Sequence, residues 1–118
     1  MKYKFSYKLR LVTDAQFKQV FRKARKISTD LYAVFCYQNN LGHPRLGVIA
    51  PKKSIRKANE RNFFKRAVRE SFRLRQHELG AIDIVFLAYK NAENSSKENL
   101  WQHLERQWEA LILRQKKV

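Results

Sequence analysis

Ten Lys or Arg residues against two Glu fall within residues 52–75, so 24 of the 118 residues carry +8 of a formal net charge of +16. The stretch reads Lys-Lys-Ser-Ile-Arg-Lys-Ala-Asn-Glu-Arg-Asn-Phe-Phe-Lys-Arg-Ala-Val-Arg-Glu-Ser-Phe-Arg-Leu-Arg. A cation row of this density does electrostatic chemistry: it attracts a polyanion, nucleic acid ahead of an acidic membrane surface. At 100° per residue, the segment from about Arg56 to Gln76 is a helix with Phe64, Ala67, Val68, Ser71 and Phe72 on one side. Asn62, Arg66, Arg69 and Arg73 recur at i, i+4, i+7 and i+11 on the opposite side, with Lys65 at the edge. Arg61 lies beside the apolar side, at the seam with whatever the helix packs on. A solvated face ordinarily mixes signs in i,i+4 pairs; this one is nearly all positive, and like charges four apart repel. Guanidinium groups fork onto phosphate and stack on bases, while Asn62 adds a donor and an acceptor that orient a partner. About five phosphate contacts to a single strand predict a log affinity that falls with log salt at a slope on the order of −3.5.

Other chemistries find little to work with. His43, His77 and His103 have no Cys or carboxylate at metal-ligand spacing. Three scattered glycines exclude a Gly-rich phosphate loop. A base–acid histidine pair is the one remaining route to catalysis by the protein itself, because spatial pairing is not legible in sequence. Asp83 reads as a strand-end or capping residue. Cys36 reads as a small buried apolar residue. A lone cysteine excludes a disulfide framework and fits a reducing compartment. No apolar run approaches the roughly 18–20 residues that span a bilayer, and the first ten residues lack the apolar core of a secretory signal. A soluble cytoplasmic protein is expected, without a membrane partner.

The length holds one domain. Residues 1–12 are expected to be extended or loosely ordered. Thr13-Asp14-Ala15-Gln16 matches a capping box, followed by Phe17, Val20 and Phe21 on one stripe and an end in the basic run 22–26. Leu31–Tyr37 and Arg45–Ala50 read as strands joined by a turn-rich loop, which predicts an antiparallel hairpin; Pro51 ends the second. Gly80 closes the basic helix, and Ala81–Tyr89 is an interior strand. Ser95-Ser96-Lys97-Glu98 is a second capping-box pattern, opening a helix to about Gln115 with a stripe of Leu100/Trp101, Leu104, Trp108 and Leu111/Ile112. The order is α-β-β-α-β-α, an α+β sandwich of helices on a small sheet. DNA is disfavoured because no helix-turn-helix precedes the basic helix. Aromatic residues near basic ones (Phe17, Phe21, Phe35, Tyr37) suit single-stranded RNA, although residue type alone places them in the core.

Arg61-Asn62-x-x-Lys65-Arg66-x-x-Arg69-Glu70-x-x-Arg73 closely resembles the signature of the bacterial ribonuclease P protein family, of proteobacterial type. The flanks agree: Phe17-x-x-Val20-Phe21, Arg45-Leu46-Gly47-Val48 before Lys52-Lys53, Ala58, and Asp83-Ile84-Val85. The resemblance implies a single RNA-binding domain over 1–118, with a mixed sheet and a left-handed β-α-β crossover. It further implies an endoribonuclease subunit that assists a catalytic RNA in removing the 5′ leader of precursor tRNA, with Mg²⁺ used by the RNA and no catalytic or metal-binding residue in the protein. Lys53, Arg61, Asn62, Lys65, Arg66, Arg69 and Arg73 would contact RNA, and Phe17, Phe21 and Phe35 would line a cleft for the single-stranded leader. The alternative is a ribosomal or RNA-assembly protein without a catalytic partner. Two positions depart from the family: Phe63 stands where many members carry a third basic residue after Arg61-Asn62, and Arg56 where some carry Gly.

Overall fold

A computed structural model describes residues 7–116. Helix α1 (Asp14–Lys23) is followed by strands β1 (Arg25–Ser28), β2 (Tyr32–Gln38) and β3 (Arg45–Ile49). Helix α2 (Ala58–Arg75), strand β4 (Ile82–Ala88) and helix α3 (Lys97–Lys116) complete the chain. Short 3-10 turns lie at Tyr7–Leu9, Gln76–Glu78 and Lys90–Ala92. The architecture is the α+β sandwich read from the sequence, on a four-stranded mixed sheet of order β1-β2-β4-β3.

That order corrects the expected hairpin. β2 and β3 do not pair; β4 lies between them, antiparallel to β2 and parallel to β3. β4 is apolar on both faces and almost wholly buried, so it takes the interior position with a neighbour on each side. Loop 39–44 therefore passes the end of β4 rather than closing a turn. Asn39 fastens it, donating its N–H to Ala81 O at 3.0 Å and its side-chain amide to Asp83 Oδ1 at 2.7 Å. Gly42 is needed there for its backbone, with φ at +82° and open space where a Cβ would stand.

β1 is a strand the sequence did not announce. α1 ends at Lys23, Ala24 turns extended, and the basic run continues as an edge strand on β2. Its exposed Arg25 and Lys26 leave Ile27 alone packed against the core. This charged edge also guards against strand addition by another chain.

Alternation in the strands sorts the two sheet faces. Tyr32, Val34, Leu46, Ile84 and Phe86 join α2 and α3 in the main core. Phe35, Tyr37, Val85 and Ile49 form a second cluster with Val20 and Phe17 of α1. The stripe Phe64, Ala67, Val68, Ser71 and Phe72 is buried as its period requires. Ser71 is satisfied there, its Oγ accepting from Trp108 Nε1 at 2.9 Å and donating to Val68 O at 3.0 Å. The expected box at Thr13 is present, with Gln16 N–H donating to Thr13 Oγ1 and Gln16 Oε1 accepting from Thr13 N–H. The α3 cap falls one residue later than expected, Ser96 Oγ accepting from Asn99 N–H at 3.1 Å. Trp101 sits on the flank of its stripe, half-buried, whereas Trp108 is fully enclosed.

The segment before α1 is more ordered than expected. Leu9 and Leu11 are buried, and Arg10 bridges to Leu46 along the outer edge of β3. Residues 1–6 of that expectation lie outside the described residues. Among the described residues, no helix is long and apolar enough to cross a membrane.

Candidate nucleic-acid interface

Packing Phe64, Val68 and Phe72 inward turns Asn62, Arg66 and Arg69 outward, where all three are exposed and Lys65 is half-buried. Among the described residues, Lys65, Arg66 and Arg69 have no ion pair. Arg73, the fourth member of the stripe, is 2.8 Å from Glu70. Arg61 has a task inside the protein: Nη1 donates to Ile55 O at 3.0 Å and to Arg56 O at 2.8 Å, fixing the loop that enters α2. Arg56 serves that loop largely through its backbone, its N–H donating to Glu93 Oε2 at 3.0 Å, while its side chain is exposed. Lys53 is exposed on the turn ahead of that loop.

Arg69 reaches past β3 into a cleft of about 380 Å³ that it lines with Arg10, Val12, Phe17, Gly47 and Val48. The cation row on α2 and the first phenylalanine of α1 thus meet in one recess. Partial burial and the neighbouring Arg10 guanidinium both lower the pKa of Arg69, burial more. A bound phosphate would relieve the mutual repulsion of the two cations. Gly47 is small for a steric reason: a Cβ there would stand 2.5 Å from Phe17 Cε1.

Phe17 and Phe35 belong to one apolar cluster. Phe21, 42% exposed, meets Phe35 edge-on with centroids 4.9 Å apart. Lys26 Nζ lies 5.8 Å from the Phe35 centroid and Lys23 Nζ 6.0 Å from that of Tyr37. Tyr37 also accepts from Gln19 Nε2 at 3.3 Å. The three expected phenylalanines therefore share one face, arranged as a half-open aromatic surface rimmed by Lys. The sequence-based site omitted Arg10, Lys26, Tyr37 and Gly47. Tyr37 was legible, two residues from Phe35 and so on the same sheet face. Lys26 was hidden because β1 was.

The remaining reactive residues are used structurally or stand apart. Asp83 is buried and forked by Arg45, Nε–Oδ1 at 2.9 Å and Nη2–Oδ2 at 2.7 Å, and the bond to Asp83 holds the guanidinium pKa above its ordinary value. It is an ion-paired strand residue rather than a cap. The Cys36 thiol is pushed up to about 12, chiefly by burial. His43, His77 and His103 belong to the β2–β3 loop, a 3-10 turn and α3 respectively. No group of three or more His, Cys, Asp or Glu is placed to hold a metal among the described residues.

Cations without carboxylate partners beside exposed aromatic rings are the equipment of a single-stranded nucleic-acid-binding protein. Comparison with known proteins narrows that class. Residues 5–112 match the ribonuclease P family. The chain is 46% identical over 107 residues to the ribonuclease P protein component of Photobacterium profundum, covering 91% of each. It is 44% identical over 108 residues to that of Escherichia coli O157:H7, covering 92% of this chain and 91% of the relative. The RNase P protein of Staphylococcus aureus superposes with a TM-score of 0.79 at 28% identity, over 93% of this chain and 96% of the other. That of Thermotoga maritima gives 0.67 at 28% identity, over 82% and 96%. The chain belongs to the ribonuclease P protein family. It is thereby a subunit of a ribonucleoprotein endoribonuclease, and of the two RNA-protein classes left open by the sequence, the ribosomal alternative gives way.

Proposed function

We propose that the chain acts as one RNA-binding domain in which the α2 stripe grips the catalytic RNA and the α1 cleft holds the single-stranded 5′ leader of precursor tRNA, in the cytoplasm. The observation that supports this is the recess lined by both Arg69 of α2 and Phe17 of α1, where a cation suited to phosphate stands beside a ring suited to stacking. Arg66, Arg69, Lys65 and Asn62 bind phosphate; Arg73 and Lys53 extend the row at its two ends. Arg61 presents its remaining donors from a position fixed by its bonds to the loop. On this reading the Mg²⁺ of the RNA subunit supplies the attacking water. The chain's residues screen RNA–RNA repulsion, which lowers the Mg²⁺ requirement, and grip the leader so that precursor outcompetes mature product.

The test is a reconstitution at low Mg²⁺ with protein alone, catalytic RNA alone, and both. Cleavage is expected with both and is not expected with protein alone. In the same assay Phe17→Ala/Phe21→Ala narrows the affinity difference between leader-bearing and mature tRNA roughly tenfold, as loss of one base stack would. An equal loss for both tRNAs would refute a leader-specific cleft.

A further inference from the structure

Phe63 is the residue that the cation row does not explain. It stands on α2 directly after Arg61-Asn62, and it is 40% exposed in one cleft with Arg66. A second cleft, about 300 Å³, opens there between α2 and the first turns of α3, lined by Phe63, Arg66, Ala67, Glu70, Lys97 and Trp101. The volume is at the small end for ligand sites. Neither Phe63 nor Trp101 stacks on another aromatic among the described residues. Arg66 and Lys97 likewise have no ion pair there. Glu70, held by Arg73 at 2.8 Å, is the sole carboxylate of the lining.

We infer that this cleft is a nucleobase pocket: an unstacked base of the catalytic RNA enters between Phe63 and Trp101 while Arg66 and Lys97 take the phosphates on either side of it. The ligand class follows from the lining. Two unpartnered aromatic faces with cations at the mouth fit a planar heterocycle on an anionic backbone. Glu70 offers an acceptor to a base N–H. A purely apolar protein segment would leave Arg66 and Lys97 facing nothing, and phosphate alone would leave both rings unused. The pocket extends the α2 surface onto α3 through Arg66, and so rests on the RNA-binding role proposed above. It also gives the exposed ring of Phe63 a use within the basic face of α2.

The experiment titrates transcribed ribonuclease P RNA, without precursor tRNA, against wild type, Phe63→Ala, Phe63→Tyr and Arg66→Ala at several salt concentrations. Stacking releases few counterions. Phe63→Ala is therefore expected to weaken binding about tenfold with the salt slope unchanged, and Phe63→Tyr to restore it. Arg66→Ala lowers both affinity and slope. RNA is also expected to quench the half-exposed Trp101, and Trp101→Leu to remove that quenching, because Trp108 is buried. Wild-type affinity in Phe63→Ala while Arg66→Ala is impaired would overturn the pocket alone. A loss seen only after precursor tRNA is added would overturn its assignment to the catalytic RNA. No effect from Arg66→Ala would overturn the reading beneath it. A thermal melt of Phe63→Ala matching wild type is expected, since the ring is 40% exposed; a destabilised Phe63→Ala that Phe63→Tyr does not rescue would count against the pocket.

Discussion

Arg66 and Arg75 belong to the same helix and have the same side chain, yet the fold treats them oppositely. Arg75 is ringed by Glu78, Glu105 and Glu109 at 3.0, 2.8 and 2.8 Å, and it ties the end of α2 to α3. Hydrogen bonds from its guanidinium to Glu78 and Glu109 hold its pKa above the ordinary value. Arg66 and Arg69 form no ion pair among the described residues. Charge counting treats all of these as one basic segment. The pairing pattern divides it into cations that hold the protein together and cations left for something outside it. Arg45 carries the first role furthest, because its partner Asp83 is almost entirely buried.

Variants that exchange these roles would break the division. The largest effect is expected from Arg45→Ala, which strands Asp83 in the sheet with only Asn39, among the described residues, to bond it; loss of one partner from a buried pair costs about 3–5 kcal/mol, read by chemical denaturation. Arg75→Ala should cost less, about 1 kcal/mol or roughly 3–6 °C in Tm, because its three carboxylates are half-exposed. RNA affinity at low temperature should stay near wild type in both variants. If Arg75→Ala weakened RNA binding as much as loss of Arg66, the division would be wrong. The smallest effect concerns Cys36. With its pKa pushed to about 12, the thiolate fraction at pH 8 is on the order of 10⁻⁴. Alkylation by iodoacetamide should be negligible in the folded protein and rapid once it is denatured.

Local period made much of this legible in advance. α2 repeats long enough for its apolar and cationic stripes to separate without tertiary information, and Phe17, Val20 and Phe21 announce α1 in the same way. The interior character of β4 was legible in its apolar run, but the sheet order was not, because its neighbours come from two distant stretches while a short loop suggests a hairpin. β1 was missed because an edge strand with one inward residue has no alternation to detect. Spacing set Arg61 at the seam and apart from Arg66, but it could not show that its guanidinium bonds its own loop. Nor can it show that Arg10 and Gly47 complete a cleft begun by Phe17, since that proximity exists only in the folded chain.

The salt dependence of binding to the catalytic RNA tests the central claim most directly. Measured side by side for wild type, Arg66→Ala/Arg69→Ala and Arg75→Ala, the double variant should bind at least about tenfold more weakly, with a slope shallower by about 1.4. It should also require more Mg²⁺ for cleavage. Arg75→Ala should reproduce the wild-type slope. Equal slopes for all three proteins would contradict the assignment of the unpaired α2 cations to RNA.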